Sequence, residues 1–265
     1  MIKLGIFGDS FADPTGGHIS RPDMDMMAWP YLFPQEQYQV GLHSGAGSSL
    51  YYSWHLFQQH QHLYDRVVFV VTTPGRFPGW FPSSPRPRHV PNWFQVQKLR
   101  STDPLYRNDI EFKRFLNAIE GYYLELTDSR LGPWIMDFCN LMLADIIKQR
   151  PDVLLIPNLP HDYAVPPGYS TNQASLCDYF PIIARSLYPE IEQEVVNKRW
   201  IEFEELRCCC HLTPEANQHL ALQVQVHLES GARVWNPQLP HTIPHLHPFN
   251  YYYGKWVDYS SPTSI

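Results

Sequence analysis

Ser10 is the residue best placed to act as a nucleophile. It ends the triplet Gly8-Asp9-Ser10, which directly follows the short apolar run Ile2-Lys-Leu-Gly-Ile-Phe7. That run reads as a buried first strand. In an open α/β sheet, ligands bind beyond the carboxyl ends of the strands, so a hydroxyl placed there is open to a reacting atom. Backbone N–H groups at the turn or helix start that follows favour negative charge as it develops. The plainer alternative is a Ser or Asp that only caps the next turn. His211 stands just ahead of a helix opened by Thr213-Pro214, where it is either a working imidazole or one of 13 histidines simply satisfied near a helix start.

Other chemistry-bearing residues carry less. Cys208-Cys-Cys-His211 has ligand types for zinc but not the Cys-x₂₋₄-Cys spacing of structural sites, and adjacent side chains on an extended segment alternate sides. No metal or cofactor is expected. His241, His245 and His247 fall in a Pro-rich tail and read as surface or interface. Arg76, Arg86 and Arg88 stand among aromatic residues, where they either clamp a sugar or carboxylate or are simply solvated. Asp9, Arg76 and Trp80 are the expected substrate-binding residues.

The elements that must position these groups alternate between strand and helix. Arg66-Val-Val-Phe-Val-Val71 and Asp152-Val-Leu-Leu-Ile-Pro157 are continuous apolar runs, the pattern of parallel strands covered on both faces. Gln37 to Leu42 is a weaker strand, and Trp200 to Phe203 is the expected fifth. Helices are predicted over Ser48–His62, over Ile110–Leu126 and from Thr213-Pro214 to Leu228. Ile135–Ile147 is almost wholly apolar and is predicted to be a buried helix, stopped at Lys148-Gln-Arg-Pro151. This alternation implies βαβ units and a parallel sheet. One domain over residues 1–232 is expected, with a Pro- and aromatic-rich insertion at 74–104 and an aromatic, Pro- and His-rich extension at 233–265. A loop as long as 74–104 is ordinarily a binding surface or a lid.

The chain has 265 residues, and its 20 Lys+Arg against 26 Asp+Glu leave a net charge of -6. Mild acidity argues against a nucleic-acid partner, which shows as a basic stripe. No run reaches the roughly 20 apolar residues needed to span a bilayer, and the first residues have no signal-peptide layout. A cytoplasmic protein without a membrane partner is the expectation. The 5 cysteines are odd in number and three are consecutive, which suits reduced thiols rather than a disulfide framework. The 25 Pro, 8 Trp, 16 Tyr and 14 Phe point to ring-faced loops, a composition common at binding surfaces.

These blocks resemble the SGNH (GDSL-type) hydrolase family. Gly8-Asp9-Ser10 is similar to the family's nucleophile block, and Val40-Gly-Leu-His-Ser-Gly-Ala-Gly47-Ser-Ser49 resembles its second block. His211-Leu-Thr-Pro-Glu-Ala-Asn217 resembles the block holding the catalytic His, and Trp29-Pro30 lies where many relatives carry a Trp. The resemblance implies a flavodoxin-like, three-layer α/β sandwich with a five-stranded parallel sheet. It also implies nucleophile Ser10, base His211 and an oxyanion hole built from the N–H groups of Ser10 and Gly47.

Two positions depart from the family. Its Gly-x-Asn-Asp after the third strand is Thr72-Thr73-Pro74-Gly75-Arg76 here, so the oxyanion amide is absent or replaced by the Thr73 hydroxyl or by Arg76. Its Asp three residues before the His is Cys208 here. Glu205 or Glu204 then supplies the acid, or a backbone carbonyl holds the imidazole in a Ser-His dyad. The resemblance implies a serine esterase or carbohydrate O-deacetylase acting on a small-molecule or carbohydrate ester. The rival is a catalytically degenerate module retained for binding or assembly, with homo-oligomer or partner contacts through the tail. Similar domains occur in bacteriophage-encoded and surface-polysaccharide proteins, which makes virion association part of that rival.

Overall fold

The computed structural model describes residues 1–13, 28–45, 48–72, 74, 76, 109–127, 132–158, 164, 169, 214–237, 249–252 and 255–258, with backbone alone for 123, 126–127, 214–216, 249–252 and 255–258. In chain order the elements are β1 (Ile2–Gly8), β2 (Tyr38–Ser44), α1 (Leu50–His60), β3 (Arg66–Val71), α2 (Ile110–Thr127) and α3 (Gly132–Gln149). They are followed by β4 (Leu154–Pro157), α4 (Pro214–Ser230), β5 (Phe249–Tyr252) and β6 (Lys255–Asp258). Strands β2-β1-β3-β4 form a parallel sheet in that order. The protein is thus α/β with a parallel four-stranded sheet among the described residues. The expected fifth strand, Trp200–Phe203, lies outside them, as does most of 74–104. Within the tail, β5 and β6 pair antiparallel, a hairpin that the composition did not signal.

Alternation along the strands sends side chains to two cores. Leu4, Ile6, Val68, Val70, Leu154 and Ile156 pack with Leu220, Ala221, Val224 and Leu228 of α4 and with Trp29 and Trp235. On the opposite face Phe7, Val67, Phe69, Val71 and Leu155 pack with Phe57 of α1 and with Cys139, Met142, Leu143 and Ile146 of α3. Both faces are covered, which is why β3 and β4 read as unbroken apolar runs. Cys139 is a free thiol, and burial pushes it up to about 12. No helix among the described residues is long and apolar enough to cross a membrane.

α3 differs from its expectation. It buries one stripe against the sheet and α1, whereas Trp134, Phe138 and Leu141 are exposed on its outer side. Apolar content alone overstated its burial. The Asp145 carboxylate on its inner flank accepts from Trp54 Nε1 at 2.8 Å and from Gln58 Nε2 at 2.7 Å, joining α3 to α1.

The direction of α4 matters for the site. Asn217, in its first turns, accepts from the Trp29 backbone N–H at 2.8 Å. At its other end, Glu229 stands near Tyr38 at the start of β2. Burial first, and that carboxylate second, hold the Tyr38 phenol above its ordinary value. α4 therefore runs antiparallel to the strands, with its N-terminus toward their carboxyl ends.

Close approach requires glycine at the paired positions Gly5 and Gly41. The Tyr64 ring lies across both, and a Cβ on Gly41 would stand 2.1 Å from its hydroxyl oxygen. That hydroxyl shares a 2.6 Å hydrogen bond with His43 Nε2. The His43 ring is stacked between Phe7 at 4.9 Å and His60 at 4.3 Å. Burial, and secondarily the adjacent His60, lower the His43 pKa from 6.5 to about 4. The folded state thus keeps this imidazole neutral, whereas the unfolded chain takes up a proton near 6.5. Its contribution to stability is intact above pH 6.5 and is lost as pH falls toward 4. Urea denaturation is expected to show lower stability at about pH 5 than at about pH 7.5, and a smaller difference in His43→Gln. An equal difference in that variant would assign the pH dependence to other groups.

Candidate active site at the carboxyl edge of the sheet

β1 is an inner strand, and its carboxyl end delivers Gly8-Asp9-Ser10 to the edge of the sheet. The chain then turns: the Ala12 N–H donates to the Asp9 carbonyl at 2.9 Å, and the Phe11 N–H donates to Asp9 Oδ1 at 3.0 Å. Asp9 thereby folds its side chain over the turn that carries Ser10. The Phe11 N–H is used in that bond and does not serve as an oxyanion donor. Ser10 itself is 6% exposed.

Asp9 is fully buried, and its second oxygen meets donors from two other strands. The Thr72 hydroxyl, just after β3, donates to Oδ2 at 2.7 Å. Asn158 Nδ2, just after β4, donates to the same oxygen at 2.6 Å. The Arg76 guanidinium completes the set, with Nη2 3.2 Å from Oδ2. A buried charge persists only when paired and hydrogen-bonded, and this arrangement meets both conditions. The Asp9 carboxylate faces inward onto protein donors.

A second clamp holds the preceding residue. The Gly8 carbonyl accepts from the Ser48 hydroxyl at 2.9 Å, the Ser53 hydroxyl at 3.1 Å and the Gly45 N–H at 3.3 Å. Gly8 also packs so closely on β3 that a Cβ would stand 2.7 Å from that of Val70. Arg76 links the two clamps, because its Nη1 donates to the Ser48 carbonyl at 3.1 Å. The guanidinium is a cross-brace whose side chain remains 27% exposed.

The start of α4 is tied to the same turn. Trp29 takes Asn217 on its backbone N–H, and its Nε1 donates to the Phe11 carbonyl at 2.7 Å. Trp29 is wholly buried, so it joins helix and turn through the core.

The structure therefore brings together Asp9, Ser10 and Arg76 of the expected site. Gly47, Thr73, Trp80, Glu204, Glu205 and His211 lie outside the described residues, as do Cys208–Cys210 and His241, His245 and His247. Gly45 and Ser48, the described residues on either side of 46–47, are both bonded to the Gly8 carbonyl. Among the described residues no three His, Cys, Asp or Glu side chains converge as a metal site would require. Sequence reasoning missed Asn158 and the tethering role of Asn217. Asn158 carried a usable signal, since it directly follows an apolar strand just as Ser10 nearly does.

No protein-family model matches the sequence, and no curated protein matches it.

The brace can be measured. Removing one member of a buried ion pair leaves the other uncompensated, although Thr72 and Asn158 still solvate Asp9. Arg76→Met is expected to lose on the order of 1–3 kcal/mol in urea denaturation. Combined with Asp9→Asn, the loss is expected to fall short of the sum of the single losses. Strict additivity would show that the two side chains are not coupled.

Proposed function

We propose that this chain is a divergent SGNH-type serine hydrolase, an esterase or carbohydrate O-deacetylase. Its frame is then a flavodoxin-like three-layer sandwich, with Trp200–Phe203 as the fifth strand. The observation that carries the reading is the bond path from Asn217 through Trp29 to the Phe11 carbonyl, beside Ser10. His211 precedes the first residue of α4, Pro214, by three positions, a reach of roughly 10 Å at most. The tether thus favours an imidazole at the carboxyl edge, where Ser10 stands. The docking of Gly45 and Ser48 on Gly8 favours Gly47 in the same neighbourhood.

In this mechanism His211 takes the Ser10 proton and the oxygen attacks the acyl carbonyl. The N–H groups of Ser10 and Gly47 receive the developing oxyanion, with the Thr73 hydroxyl or Arg76 as third donor. His211 returns the proton to the leaving alcohol, and water releases the acyl group by the reverse sequence. Glu205 or Glu204 orients the imidazole, or a backbone carbonyl does. Rings of the 74–104 segment, Trp80 among them, stack on the acylated sugar.

The degenerate binding or assembly module remains the second reading, favoured by Cys208 in place of the family's Asp and by the low exposure of Ser10. A fluorophosphonate probe with an activated acetyl ester separates the two. The hydrolase reading expects labelling at Ser10 and turnover, both reduced roughly a thousand-fold or more in Ser10→Ala and His211→Ala. Absence of labelling and turnover, with oligomers or partner complexes on sizing, would establish the module instead.

A further inference from the structure

We infer that Asn158 is a positioning residue for Ser10, acting through Asp9; the inference rests on the hydrolase reading. Asn158 is wholly buried at the carboxyl end of β4. Its backbone N–H donates to the Val71 carbonyl at 2.9 Å, which continues the β3–β4 pairing and fixes its Cα. From there the amide extends under the sheet edge. Nδ2 lies 2.6 Å from Asp9 Oδ2 and 3.3 Å from Thr72 Oγ1, whereas the buried Oδ1 has no hydrogen-bond partner among the described residues. An unpartnered buried carbonyl is costly. The amide is held in this orientation because its N–H₂ end is what the carboxylate demands; the reverse orientation would set two oxygens against each other.

The consequence passes along Asp9. With Oδ2 fixed by Asn158, Thr72 and Arg76, Oδ1 is left to accept the Phe11 N–H and to set the turn on which Ser10 rides. The family resemblance places an Asn amide after β3, facing substrate. Here an amide stands one strand further on and is committed inward, so it does not serve as an oxyanion donor. It determines where the nucleophile stands.

Asn158→Asp tests this through pH. Of the groups facing Asp9 among the described residues, Thr72 and the Phe11 N–H are neutral and Arg76 is charged. A new carboxyl group against Asp9 makes a pair that shares one proton. Deprotonated, the pair repels and the turn opens; protonated, the new group donates an O–H where the amide donated. Two readouts follow, the fluorophosphonate labelling rate at saturating probe and hydrogen exchange at the Phe11 amide.

At neutral pH the variant is expected to label on the order of ten- to a hundred-fold more slowly, with probe affinity unchanged, and to lose protection at Phe11. Relative to wild type at the same pH, both are expected to recover on acidification. Asn158→Leu shows the defect without the recovery. If the Asp variant does not fold at neutral pH, Asn158→Ser replaces it, with slower labelling expected from its shorter reach. Wild-type labelling and Phe11 protection in a folded variant would overturn the inference. If wild-type protein does not label at all, the hydrolase reading fails separately. Phe11 exchange then decides whether Asn158 governs the turn, and unchanged protection in the variants overturns that as well.

Discussion

A carboxylate without access to water is the constraint around which the carboxyl edge of this sheet is organised. Burying an ionised Asp is unfavourable by several kcal/mol unless charge and hydrogen bonds replace the lost hydration. Asp9 obtains that replacement from its own turn, from the residues ending β3 and β4, and from Arg76. Each donor belongs to a different segment, so satisfying the charge fixes the mutual position of those segments. The turn carrying Ser10 is thereby set by the folded sheet as a whole.

The same geometry makes Arg76 a brace within the protein. Its guanidinium closes a circuit from Asp9 to the Ser48 carbonyl, while the Ser48 hydroxyl returns to the Gly8 carbonyl. Two clamps on adjacent residues, joined by a planar cation, hold the chain just before the proposed nucleophile. Donors that are already oriented need no reorganisation as charge develops, which is what the proposed acyl transfer would draw on.

Much of the frame was legible in the sequence. The β1, β3 and β4 runs are continuous because both faces of the sheet are covered. The apolar run Ile135–Ile147 predicts a buried helix, but helical geometry turns Phe138 and Leu141, like Trp134 just before the run, away from the stripe that meets the sheet. The polar cluster was not legible. Thr72 lies 63 positions from Asp9 and Asn158 lies 149 away, and no local periodicity says which strand ends become neighbours. The tether from Asn217 to Trp29 spans 188 positions and was hidden for the same reason. Ser10 was legible because strand, turn and hydroxyl are contiguous.

The hydrolase account stands on an imidazole meeting the side chain at position 10. The most direct measurement is the pH dependence of alkylation of the thiol in Ser10→Cys, followed on its own peptide by mass spectrometry. A neighbouring imidazole stabilises the thiolate. The account predicts a thiol titrating at least about one unit below the ordinary value near 8.5, returning to that value when His211→Ala is added. An ordinary or raised titration that His211→Ala leaves unchanged would contradict it.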